Sequence, residues 1–197
     1  MEATKTTLVN YAVKNGVAYL ELADPPANTY THEMMRDLDD AILKARFDVA
    51  VHVIVIKGAG KLGLPEVTLG VLPGTGGTQR FARLVNKSTA IELMVTGETF
   101  DFEKGLQLGV INQIWETTTN AEFIEKIEKY AEQFCPPNKA AKAVGRIKRS
   151  VQSGVEIPFE SALAVERELQ QQLFQSEDAK EGLAAYVEKR KPNFSAK

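Results

Sequence analysis

The sequence predicts an α/β fold with an all-helical C-terminal portion, and three observations carry that expectation. Leu8–Val13 and Gly16–Leu22 are short β-prone runs joined at Asn15-Gly16, a dipeptide that favours the tight turn of a hairpin. A helical segment and then the compact β-branched run Val51–Ile56 follow, giving strand, helix and strand in the order of a right-handed crossover unit. Beyond Cys135-Pro136-Pro137 only helical periodicity recurs.

Each element has a local reason. Asp24-Pro25-Pro26-Ala27-Asn28 interrupts regular structure, because proline fixes φ and lacks a donor. Thr31 can cap the next helix, in which Met34, Leu38, Ile42 and Ala45 recur at helical spacing. The Val51–Ile56 run suits a strand buried on both faces. From Gly58 to Gly77 the chain is glycine-dense and leaves no room for a helix before Pro73. Short helices are expected over Thr78–Leu84 and Ser88–Val95, the second stopping near Gly97. Asp101 can cap a third that ends before Gly109, and Val110–Trp115 reads as a final strand. Thr119 and Glu122 have capping-box spacing ahead of a helix that presents Phe123, Ile127, Tyr130 and Phe134 on one face. Helices are then expected over Lys139–Gln152, Phe159–Phe174 and Asp178–Arg190, the last capped by Ser176. The expected division is an α/β core over 1–135 and a helical region over 136–197.

Composition narrows the function. The 197 residues carry 24 Lys and Arg against 26 Asp and Glu, a net charge of −2, with 44% apolar residues. That balance fits a folded chain and argues against a general binder of nucleic acid or anionic membrane. No apolar run approaches a membrane span, and Met1–Lys5 does not open a secretory signal, so a cytoplasmic protein is expected. One cysteine and two histidines leave no metal site to expect.

Two glycine motifs are excluded on their spacing. Gly58-Ala59-Gly60-Lys61 has valine at 55 and leucine at 62, where a phosphate loop needs Gly and Ser or Thr. Gly74-Thr75-Gly76-Gly77-Thr78-Gln79 ends on glutamine and fails the dinucleotide pattern. His52 reads as a core or edge residue and His32 as solvated. Cys135 has no cationic neighbour in sequence to activate it.

The informative stretch is Gly63-Leu-Pro65-Glu66-Val-Thr-Leu-Gly70-Val-Leu-Pro73-Gly74-Thr75-Gly76-Gly77-Thr78-Gln79-Arg80. Glu66 is its single carboxylate, among apolar residues and glycines. Desolvation there would raise its pKa and suit it to general acid–base work near neutral pH. The glycine loop admits close approach to the backbone and leads into a helix N-terminus. The same residues also read as an exposed glutamate beside a tight turn.

This stretch closely resembles the crotonase (enoyl-CoA hydratase/isomerase) superfamily. The likeness extends through Ala90–Gly97, Gly105–Asn112, Asp24–Asn28 and the tail from Ser176 to Phe194. It implies a crotonase-like (ClpP/crotonase) spiral of ββα units with a C-terminal helical trimerisation region. It implies an enoyl-CoA hydratase that adds water across the α,β double bond of an acyl-CoA thioester through an enolate. The alternatives are an enoyl-CoA isomerase or an inactive CoA-binding scaffold. By resemblance Glu66 is catalytic, exchanging a proton with the substrate α-carbon. Pro65, Gly74, Thr75, Gly76 and Ala27 contact substrate, while Tyr186 and Lys189 contact CoA. No cofactor beyond the CoA of the substrate is implied, and self-association as a homotrimer or hexamer is. In relatives about 60 residues separate the counterparts of Val51–Ile56 and Lys61–Pro65, a spacing well beyond ordinary connections. Those residues carry two oxyanion donors and a water-activating glutamate, and here Lys61 follows Gly60 directly. Removing strands from a buried spiral exposes apolar faces and unpaired edges. The expectation is therefore a segment left out of the sequence, with Gly60 and Lys61 farther apart than the 3.8 Å of bonded neighbours. A true deletion would favour the scaffold.

Overall fold

The computed structural model describes residues 7–24, 28, 31–58 and 61–197. Ala27 and Gly60 lie outside the described residues, and with them the expected substrate contact at Ala27 and the spacing across 60–61. The chain forms two compact units: residues 1–58 with 124–197, and residues 59–123.

The first unit is organised by a three-stranded sheet. β1 (Val9–Lys14) and β2 (Val17–Leu22) pair antiparallel across Asn15-Gly16, and β3 (Val53–Lys57) lies parallel to β2. Asn15 and Gly16 have φ of 51° and 78°, the left-handed pair that a two-residue hairpin turn needs. α1 (His32–Phe47) starts at Thr31, whose hydroxyl accepts from Met34 N. Its inner face joins Ala18, Leu20, Met34, Ala41 and Ala45 in one buried cluster. The opposite sheet face packs Val17 against Ala131 and Cys135, the former in α5 (Asn120–Glu132) and the latter just beyond it. Central strand β2 is thus covered from both sides, as alternation along a strand requires.

β3 departs from the expectation of burial on both faces. Ile54 and Ile56 share a face with Ala18 and Leu20 and are 37% and 51% exposed. α1 packs over β1 and β2, which leaves the α1-side face of this edge strand open. His52 is exposed beside β3, its N–H donating to Gly16 O at 2.8 Å, and His32 is exposed in the first turn of α1.

The rest of the first unit is helical. α6 (Ala141–Gly154) packs against α7 (Phe159–Phe174), and α8 (Glu177–Glu188) begins at Ser176, whose hydroxyl accepts from Ala179 N. Buried Asp178 holds the C-terminal residues, accepting from Ser195 N at 2.7 Å and Ala196 N at 2.9 Å. Glu181 accepts from Asn193 N and pairs with Arg190 through both oxygens, at 2.6 and 2.8 Å.

The second unit holds the short helices α2 (Gly77–Val85), α3 (Lys87–Thr96) and α4 (Phe102–Gln107). The strand expected over Val110–Trp115 does not form. Val110 N and Ile111 N instead both donate to Gly105 O, folding the chain back on the end of α4 and away from any ladder. The expected capping box is present in part: Thr119 Oγ1 accepts from Glu122 N, but the Glu122 carboxylate accepts from Thr118 N. No described helix is long and apolar enough to cross a membrane, and no cluster of His, Cys, Asp and Glu among the described residues could hold a metal.

Two outcomes follow for the C-terminal clamp. Asp178→Ala removes the buried acceptor of the Ser195 and Ala196 N–H groups and should destabilise by about 2 kcal/mol, read by urea unfolding. Hydrogen bonding to Arg190, and then to Asn193 N–H, lowers the Glu181 carboxyl from 4.5 to about 2. A lowered carboxylate stabilises the fold above its unfolded pKa and loses that contribution as protons bind. Hydrogen-exchange protection at Asn193 should therefore be level above about pH 4.5 and fall as pH drops toward 2.

Candidate active site

Of the residues the sequence singles out, Pro65, Glu66, Gly74, Thr75 and Gly76 lie in the second unit, Glu66 on a turn of its own. Where no helix was expected, Glu66–Leu69 forms a single 3-10 turn. Thr68 closes it at the start, donating to Pro65 O through N–H at 3.0 Å and through Oγ1 at 2.7 Å. Gly70 closes it at the end in the left-handed region, φ 73°, with its N–H on Val67 O. The Glu66 side chain is half-buried, and its Oε2 is buried with no hydrogen-bond partner among the described residues. Such an atom is a rare and unfavourable feature in a folded protein.

Gly97 backs this turn. A Cβ there would stand 2.9 Å from Val67 Cγ1 and 3.2 Å from Thr68 Cγ2, so the turn rests against a bare glycine. The sequence marks Gly97 only as a helix stop, and it is indeed the left-handed C-cap of α3, φ 68°. Its packing role carries no local sequence signal, because the residues it touches lie about 30 positions earlier.

The glycine loop follows. Pro73 is buried, Thr75 and Gly76 take φ of 51° and 81°, and Gly77 N donates to Gly74 O at 2.8 Å. Nothing stands within 4 Å of where a Gly74 Cβ would be, so a ligand can approach the backbone closely there. Gly76 is the N-cap of α2 and offers no side-chain acceptor, which leaves the first-turn N–H groups of α2 uncapped by a side chain. Alongside, an apolar cavity of about 300 Å³ is lined by Leu62, Leu64, Arg80, Phe81, Leu84 and Phe100. Phe81 and Phe100 stack with centroids 6.4 Å apart, and Leu62 reaches α4 because Gly105 has no Cβ, which would lie 2.6 Å from Leu62 Cδ1. Glu66, Pro65 and the 74–76 loop are thus parts of one unit.

Tyr186 and Lys189 belong to the first unit, at the end of α8. Tyr186 is 84% exposed, and Lys189 is exposed as the left-handed C-cap of that helix. Cys135 is buried, and burial pushes its thiol pKa up, the reverse of an activated nucleophile.

The profile of the enoyl-CoA hydratase/isomerase family matches residues 59–197. This chain belongs to that family. A probable enoyl-CoA hydratase of Bacillus subtilis is 36% identical over 146 residues, 74% of this chain and 55% of that protein. The 2,3-dehydroadipyl-CoA hydratase of Escherichia coli is 31% identical over 145 residues, again 74% of this chain and 55% of that protein. The chain spans about half the length of the curated relatives it matches. A solved enoyl-CoA hydratase of Geobacillus kaustophilus, 30% identical, superposes with a TM-score of 0.90 over 98% of each chain. The fold of this family member is therefore crotonase-like, α/β with C-terminal helices.

Gly97→Ala should cost about 2 kcal/mol in urea unfolding, from left-handed strain plus the clash with Val67. Gly109 has φ of 72° and nothing within 4 Å of its Cβ position. Gly109→Ala should therefore cost only the conformational part, about 1 kcal/mol. Equal losses at both positions would remove the packing role assigned to Gly97.

Proposed function

We propose that this chain is an enoyl-CoA hydratase, adding water across the α,β double bond of an acyl-CoA thioester. The observation that carries the reading is the buried, unpartnered Oε2 of Glu66 on a braced turn beside an open glycine loop. A carboxylate held there has a free oxygen with which to deliver a proton to the α-carbon or take one from it. Several relatives are named hydratases, which supports that reaction over a double-bond shift. Pro65 and the Gly74–Thr75–Gly76 backbone line the acyl group, with Ala27 a further substrate contact. Tyr186 meets the adenine and Lys189 a phosphate of CoA. The CoA of the substrate is the only coenzyme needed.

The helical region 136–197 is the oligomerisation region in this reading, giving a trimer or a hexamer. Its support is the apolar residues left exposed on α6 and α7, among them Ile147, Val151, Phe159 and Phe174. Large apolar side chains grouped on helices are a mark of surfaces that associate.

The test is turnover of crotonyl-CoA, followed by loss of the ultraviolet absorbance of the conjugated thioester. Glu66→Gln should cut turnover by at least about 10³-fold while coenzyme A still binds, the scale of a lost general acid–base group. Undiminished turnover in that variant would overturn the role of Glu66. Incorporation of labelled oxygen from water separates hydration from isomerisation, and CoA binding by the unaltered chain without turnover would identify a scaffold.

A further inference from the structure

Three cations, Lys189, Arg190 and Lys191, stand in sequence at the end of α8, and the structure treats them differently. Arg190 is fully engaged. Its guanidinium donates to both Glu181 oxygens, at 2.6 and 2.8 Å, and through Nε to Glu188 at 2.5 Å. Arg190 N also donates to Ala185 O at 3.0 Å, and Asn193 N donates to Glu181 Oε1 at 2.8 Å. The two carboxylates nearest in sequence to Lys189 on α8 are therefore both occupied by its neighbour. Lys189 has no carboxylate partner among the described residues.

The same cluster fixes the backbone. Lys189 lies at φ 55° and ψ 35°, a left-handed conformation unfavourable for a residue with a Cβ and kept only where the surroundings enforce it. The enforcing bonds flank it: the N–H of Lys189 on Tyr186 O, that of Arg190 on Ala185 O, and the bidentate pair tying Arg190 to Glu181 one helix face away. A bidentate arginine–carboxylate pair sets both distance and plane, which a lysine in its place would not do.

We propose that Glu181, Glu188 and Arg190 are positioning residues for Lys189, occupying the local carboxylates and holding the left-handed cap so that its ammonium is free to meet a phosphate of coenzyme A. This rests on the reading above that Lys189 contacts CoA, and it assigns a task to three residues that the reading leaves without one. Tyr186, three positions before Lys189, is likewise exposed. Without the cluster, Glu188 and Glu181 compete with the ligand for Lys189.

The experiment is a double-mutant cycle read by calorimetry with free coenzyme A, so that it does not depend on turnover. Lys189→Met sets the benchmark, expected at about tenfold weaker binding, the scale of a lost charge-assisted hydrogen bond. Arg190→Gln should weaken binding several-fold alone and add no further loss in the Lys189→Met background, since it acts through Lys189. Glu181→Gln is run in the same cycle. It keeps an acceptor for Asn193 N–H, should leave the fold intact, and should show the same coupling. Pantetheine, which lacks the phosphates, should bind all variants alike. Equal losses in both backgrounds, or unchanged CoA binding in Arg190→Gln and Glu181→Gln, would overturn the positioning role alone. Unchanged CoA binding in Lys189→Met, or no binding by the unaltered chain, would overturn the underlying reading of Lys189 as well.

Discussion

Burial of β2 on both faces is the constraint on which the first unit depends. Val17, Ala18 and Leu20 are fully excluded from solvent, and no single helix could exclude them. α1 covers one side, and the segment around Ala131 and Cys135 must return from more than 100 residues later to cover the other. The hairpin turn takes part directly: Gly16 O accepts from His52 and Val53, and Asn15 reaches Glu132 at 2.7 Å. Residues 59–123 are thereby an insertion between two halves of one core. Glu66 and the glycine loop lie in that second unit, among turns of their own.

Within the insertion, small residues do most of the positioning. Gly70 lets the Glu66 turn close, Gly97 lets it seat, Gly105 admits Leu62, and Gly74 leaves the loop open. Each acts by having no side chain, so their effects are steric and short-ranged. The turn beneath the orphaned carboxylate oxygen is closed by the N–H groups of Thr68, Gly70 and Val71, and so holds that oxygen in place. The local geometry fixes where the oxygen sits while leaving its bonding capacity unspent.

How far the sequence discloses this depends on the range of the forces involved. The hairpin, the caps at Thr31, Asp101 and Ser176, and the stop at Gly97 rest on neighbours within a few residues, and all are legible. The Val110–Trp115 run shows the limit: its β-prone composition yields no strand, because Gly105 O captures its leading N–H groups and no edge is offered. β3 shows another, since Val51–Ile56 reads as doubly buried and only placement over the sheet reveals which face α1 leaves bare. Glu66 stands out by being a lone acid among apolar residues and glycines. Glu181 and Arg190 resemble any solvated helix end until their nine-residue separation is seen to be bridged by two hydrogen bonds.

The contact between Gly16 and Cys135 has a practical consequence for chemistry on this molecule. The thiol is the only one in this sequence, it is buried beneath the hairpin turn, and that burial pushes its pKa up. A cysteine introduced on an exposed position such as Tyr186 would then be the first thiol to react with a maleimide. Within the present 197 residues that position is a single accessible address for a fluorophore or spin label.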